Sequence, residues 1–173
     1  MEIDLNKVIK DFTQNVNTLM CLLEGLSEEQ LRWKPKEKSW SILEVVGHFL
    51  DEEKLDFRLR IQSTFENPNK KWYSYDPEGL VYANKYNEQD FEKTLNDFLE
   101  ERMKSLTWLK SLENPNWDLI YSLHPAGNFT TGELLCSWLA HDWLHFEQIL
   151  KLKVLFLKNN NPKYPIRYSG FKE

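Results

Sequence analysis

Residues 134–152 constrain this chain more than any other stretch. Leu134, Trp138, Ile149 and Leu152 recur at helical spacing, and the stripe they draw takes in His141 and His145. Positions i and i+4 share one helix face, so the two imidazoles stand one above the other on a face that points inward. Imidazoles in an apolar stripe are costly to bury unless something takes up their polar atoms. Core carboxylates or waters would do so. A metal ion would too, since His-x-x-x-His is a usual helical chelating pair. The pair alone leaves both open.

Three further helices are expected. Leu5, Val8, Ile9, Phe12, Val16, Leu19, Met20 and Leu23 give the first one apolar stripe over about residues 4–24, and Gly25 supplies its stop. Ser27 and Gln30 form a capping box for a short turn. A second box, Ser41 with Glu44, opens a helix expected to run to about residue 63, with His48 on its apolar face. The third helix spans about residues 89–112, and its dense charges (Glu92, Lys93, Asp97, Glu100, Glu101, Arg102, Lys104) read as a solvated face. Thr130 to Glu133 caps the helix that carries the histidine pair, and the tail after Leu157 reads as an extended arm packed on the bundle.

Residues 66–86 and 113–129 are rich in proline and glycine and read as two long irregular connections, with no convincing strand alternation. The fold class expected is all-α: one domain over residues 1–173, a four-helix bundle with long crossover connections. His124, beside Pro125 in the second connection, reads as an exposed bystander rather than a substrate group.

A net charge of −5 with no Lys/Arg block disfavours nucleic acid as a partner. No run approaches the roughly 20 apolar residues that span a bilayer. Residues 1–7 lack the basic start and apolar stretch of a signal peptide, so a cytoplasmic location is expected. Cys21 and Cys136 sit in helical runs without a Cys-x-x-Cys pattern and read as reduced core thiols. A small-molecule substrate is the partner expected, with a homodimer left open.

Two segments carry a resemblance. Trp40-Ser41-Ile42-Leu43-Glu44-Val45-Val46-Gly47-His48, followed by Asp51, Glu52 and Glu53, is a Trp-Ser helix start leading to Gly-His. His141-Asp142-Trp143-Leu144-His145-Phe146-Glu147-Gln148-Ile149 is His-x-x-x-His followed by Gln-Ile. In that order and spacing they resemble the DinB/YfiT-like family, which is unrelated to the DNA polymerase sharing part of the name. The resemblance implies a four-helix bundle with His48, His141 and His145 as metal ligands. Three imidazoles leave a coordination position open, the pattern of a catalytic site, and Zn²⁺ or Ni²⁺ suits nitrogen donors. Glu52 shares the face of His48 and reads as a supporting acceptor or an additional ligand, although most carboxylates in such a run face solvent. The likeness of His141-Asp142-x-x-His145 to the zinc-protease His-Glu-x-x-His is rejected, because nothing else here resembles a protease.

The activity implied by the family is a metal-dependent transferase that joins a low-molecular-weight thiol to a small electrophile. A metal-dependent hydrolase of amides or esters is the alternative reading, and a non-catalytic stress-related bundle is the third.

Overall fold

In the computed structural model, residues 3–172 are described; Met1, Glu2 and Glu173, the ends of the expected 1–173 domain, lie outside them. Four long helices form the bundle, with short elements on its connections. α1 (Leu5–Leu23) starts where Asp4 accepts from the Lys7 amide, and Gly25 follows it in the left-handed region at φ +72°. α2 (Glu28–Arg32) carries the expected Ser27–Gln30 capping box. α3 (Ile42–Leu55) opens on the Ser41–Glu44 box and is the central helix, buried at every residue from Ile42 to Glu53.

The expected helix to residue 63 breaks at Asp56, whose φ −121° and ψ −103° are not helical, and α4 (Phe57–Glu66) begins beyond it. The break lets Phe57 lie flat on Trp138, with ring planes 6° apart and centroids at 5.9 Å. Apolar spacing runs through such a break unchanged, so periodicity did not reveal it.

Residues 66–86 are more ordered than expected. They hold α5 (Pro77–Ala83), with Pro77 in its first turn and Asp76 accepting from the Gly79 amide, and a 3₁₀ turn follows at Tyr86–Glu88. α6 (Phe91–Ser111) is the expected third helix. The second connection contains an antiparallel hairpin of β1 (Ile120–His124) and β2 (Gly127–Thr130), with Tyr121 opposite Phe129. Its strands are four and five residues long, too short to show an alternation. Tyr121 stacks on Trp72 at 3.7 Å and its hydroxyl accepts from the Trp72 amide, pinning the hairpin to the first connection.

α7 (Thr131–Asn160) carries the histidine pair and outruns the expected end by one turn. The tail beyond it is mostly exposed, with a 3₁₀ turn at Arg167–Ser169, rather than an extended arm packed on the bundle. Both cysteines are exposed, against the expectation of core thiols, because each falls on the outer side of its helix. Two apolar clusters fill the bundle, one around Val46, Phe49, Phe98 and Ile149, the other around Phe12, Leu109, Leu135 and Trp138. Among the described residues no helix is long and apolar enough to cross a membrane.

Candidate metal centre

The three histidines named from sequence meet between α3 and α7. His48 is buried on α3, while His141 and His145 are half-buried one turn apart on α7. Nε2 of His141 lies 3.4 Å from Nε2 of His48 and 3.1 Å from Nε2 of His145. That is the spacing of nitrogens that share one ion at about 2.0–2.1 Å each. The donor chemistry therefore fits a divalent ion that favours imidazole.

Protonation supports the same reading. His145 Nδ1 sits 2.7 Å from Gln148 Oε1, an acceptor there, so Nδ1 carries the proton and the Nε2 lone pair faces the other rings. Burial, then the neighbouring His145 and His141, lowers the pKa of His48 to about 2. Burial and His145 lower that of His141 to about 4, and burial lowers that of His145. All three are neutral at pH 7, the state in which imidazole ligates. Among the described residues, buried His48 Nδ1 has no hydrogen-bond partner, and its Nε2 is the ring nitrogen turned to the other two histidines.

Aromatic rings close the surroundings. Trp40 stacks over His145 and leans on His48, with centroids at 6.2 and 4.8 Å. Phe57 meets His141 edge-on at 5.4 Å, and Phe49 meets His145 likewise at 5.3 Å. Gly47 has a steric reason to precede His48: a Cβ there would fall 2.2 Å from Cγ of Tyr86.

Asp51, Glu52 and Glu53 are all buried, against the expectation that most of them face solvent. Asp51 accepts from Tyr86 Oη at 2.8 Å. Glu52 is the carboxylate nearest the cluster, with Oε1 3.6 Å from His48 Nε2 and accepting from Tyr75 Oη at 2.7 Å. Burial and nearby Asp56 push its pKa up.

Glu53 belongs to a different group, together with Arg102, which the solvated-face reading of α6 had misplaced. Both side chains are fully enclosed. Arg102 Nε donates to Glu53 Oε1 at 2.8 Å, and its two terminal nitrogens donate to Asp142, each at 2.8 Å. Asn15 Nδ2, Trp138 Nε1 and Ser105 Oγ donate to the same carboxylates. Asp142 thus turns to Arg102 and Asn15 and not to the histidines, which agrees with rejecting the protease reading. Leu144, within the His-x-x-x-His segment, is exposed, and His124 lies in the hairpin against Trp72 and Phe129, apart from the cluster.

Residues 11–149 match the family profile of the DinB superfamily, most of the chain. The chain belongs to the DinB superfamily. This DinB chain is also similar in fold to a solved structure described as "YfiT from Bacillus subtilis is a probable metal-dependent hydrolase with an unusual four-helix bundle topology". The TM-score is 0.75 at 18% identity, covering 86% of this chain and 85% of that one. At that identity the likeness shows the fold alone. No curated protein matches the sequence.

Proposed function

We propose that this DinB chain is a metal-dependent enzyme acting on small molecules, with His48, His141 and His145 as the ligands of Zn²⁺ or Ni²⁺. The observation that carries the proposal is the meeting of three neutral imidazole Nε2 atoms from two helices, 3.1 and 3.4 Å apart. The reaction we assign is thiol S-transfer to a small electrophile, with a low-molecular-weight thiol as co-substrate, on the strength of the family motifs. The ion supplies one thing, a lowered pKa for a thiol or water that it takes up.

The chain's own residues do the rest. Gln148 orients His145, and burial keeps all three imidazoles unprotonated. Trp40 and the edge of Phe57 give the histidines apolar surroundings suited to an apolar electrophile. Glu52, anchored by Tyr75, is positioned to hold a released proton on its carboxylate.

A second reading, hydrolysis of small amides or esters, is favoured by the description of the YfiT structure as a probable hydrolase. Elemental analysis of protein purified without a histidine tag tests the shared premise, with about one zinc or nickel per chain expected. Metal-free protein that takes up neither ion would overturn both readings. Turnover of a chloro-aromatic acceptor with a panel of thiols supports transfer. Turnover confined to esters and amides would replace transfer with hydrolysis.

A further inference from the structure

Each of the two helices that meet at the histidine centre presents a pair of donors at i and i+4, positions that share one helix face. On α7 the pair is His141 and His145, whose Nε2 atoms come within 3.1 Å of each other. On α3 it is His48 and Glu52, both buried, with Nε2 and Oε1 3.6 Å apart. Only the three imidazoles converge on one point. Their ligand atoms all lie within 4.8 Å of one another, and among the described residues no carboxylate oxygen joins that group. A buried carboxylate one turn from a ligand, and close to its donor nitrogen, is thus left outside the donor set.

Tyr75 accounts for the difference. It comes from the connection between α4 and α5, and its hydroxyl donates to Glu52 Oε1 at 2.7 Å, the same oxygen that stands 3.6 Å from His48. Its own position is fixed by its neighbours. The Arg60 guanidinium, ion-paired with Asp56, lies 4.9 Å from the centroid of the Trp72 ring and 5.9 Å from that of Tyr75. Trp72 in turn donates through its indole to Thr64 and through its amide to Tyr121. A hydroxyl held in this way engages a lone pair that the carboxylate would otherwise offer to an ion.

We propose that Tyr75 is a positioning residue that holds Glu52 off the ion, so that the centre keeps three neutral ligands and an open position. The proposal rests on the metal-dependent reading above. Its consequence is electrostatic. Three neutral imidazoles leave a divalent ion its full charge, which is what lowers the pKa of a group it takes up. A carboxylate ligand would cancel one unit of that charge and fill the position a substrate needs. Held by Tyr75, Glu52 stays beside His48 without entering the donor set.

The test compares Co²⁺ binding by the full-length parent, Tyr75→Phe, Glu52→Gln and the double variant. Tyr75→Phe keeps the ring beside Arg60 and removes only the hydroxyl. Affinity is read by competition with a chelator, and the open position by the absorbance change on titration with azide. Loss of a residue that merely supports a metal site lowers affinity by about 10–100-fold. Tyr75→Phe should instead raise Co²⁺ affinity by about tenfold and weaken azide binding by about tenfold, because Glu52 is released to the ion. Glu52→Gln alone is the reference that closes the cycle, and the double variant should match it to within about twofold in both readings. An unchanged or lowered affinity in Tyr75→Phe, or a gain that persists in the double variant, would overturn the proposal and leave the metal centre standing. A parent that takes up no Co²⁺ ends the metal-dependent reading, and this proposal with it.

Discussion

Arg102 grips Asp142 with both terminal nitrogens inside the bundle, at 2.8 Å each, one residue from His141. The same guanidinium holds Glu53 on α3, and Asn15 of α1 reaches Asp142 from the opposite side. All four long helices therefore meet at one buried polar group, which sets α7 against α3 in the register that brings His141 and His145 to His48.

Arg102→Met should destabilise the protein by about 3–5 kcal/mol, since it leaves two buried carboxylates without their cation. Denaturant unfolding measures this. Removing the charges together, by Arg102→Met with Glu53→Gln and Asp142→Asn, should recover most of the loss, as no buried charge is then left alone. A single mutant as stable as the parent would show that the group does not hold the helices.

His48→Ala, His141→Ala and His145→Ala should each strip the bound metal to a small fraction of the parent content, while His124→Ala should not. His124 sits in the hairpin with its Nδ1 accepting from the Ala126 amide. Full metal occupancy in two of the three cluster mutants rules out the triad.

Metal affinity should hold as pH falls to 6.5, the ordinary histidine value, and decline only below it, since burial lowers all three imidazoles. The sign follows from competition: a proton displaces the ion only where the imidazole would bind that proton. Burial has lowered His48 to about 2 and His141 to about 4, so the folded site resists protons through the usual range. Isothermal titration at a series of pH values checks this, and a break at about pH 6.5 would contradict it.

Gly47→Ala should lose about 1–3 kcal/mol to overpacking. The added Cβ meets the Tyr86 ring, whose hydroxyl donates to Asp51, and that ring has to move. A thermal melt reads the loss. An unchanged melt would mean that Tyr86 yields freely.

Chelation should leave far-UV helicity intact. Two apolar clusters with fully buried Phe12, Val46, Leu109 and Ile149 hold the bundle without help from a metal. Stability should fall only by ligand linkage, about 2.7 kcal/mol for free metal at about 100 times Kd, and the melting temperature with it. Cooperative unfolding on chelation at room temperature would make the site structural.

Local chemistry alone determined much of this. The apolar stripes of α1, α6 and α7, the capping boxes at Ser27, Ser41 and Thr130, and the stop at Gly25 follow from rules spanning four or five residues. The His141–His145 pair was legible for the same reason, and its joining with His48 came from the family pattern. Short-range rules did not reach the break at Asp56, where the apolar spacing continues across altered dihedrals, nor the hairpin, whose strands are too short to alternate. A faint signal did exist for the buried ion group. Asn15 lies between Phe12 and Leu19, Arg102 between Phe98 and Leu109, and Asp142 between Trp138 and Ile149, each a polar residue inside its helix's apolar stripe. A stripe says that such a residue faces inward. Whether it finds a partner or opposes an apolar wall depends on the other helices, and only the tertiary structure brings these three to one point.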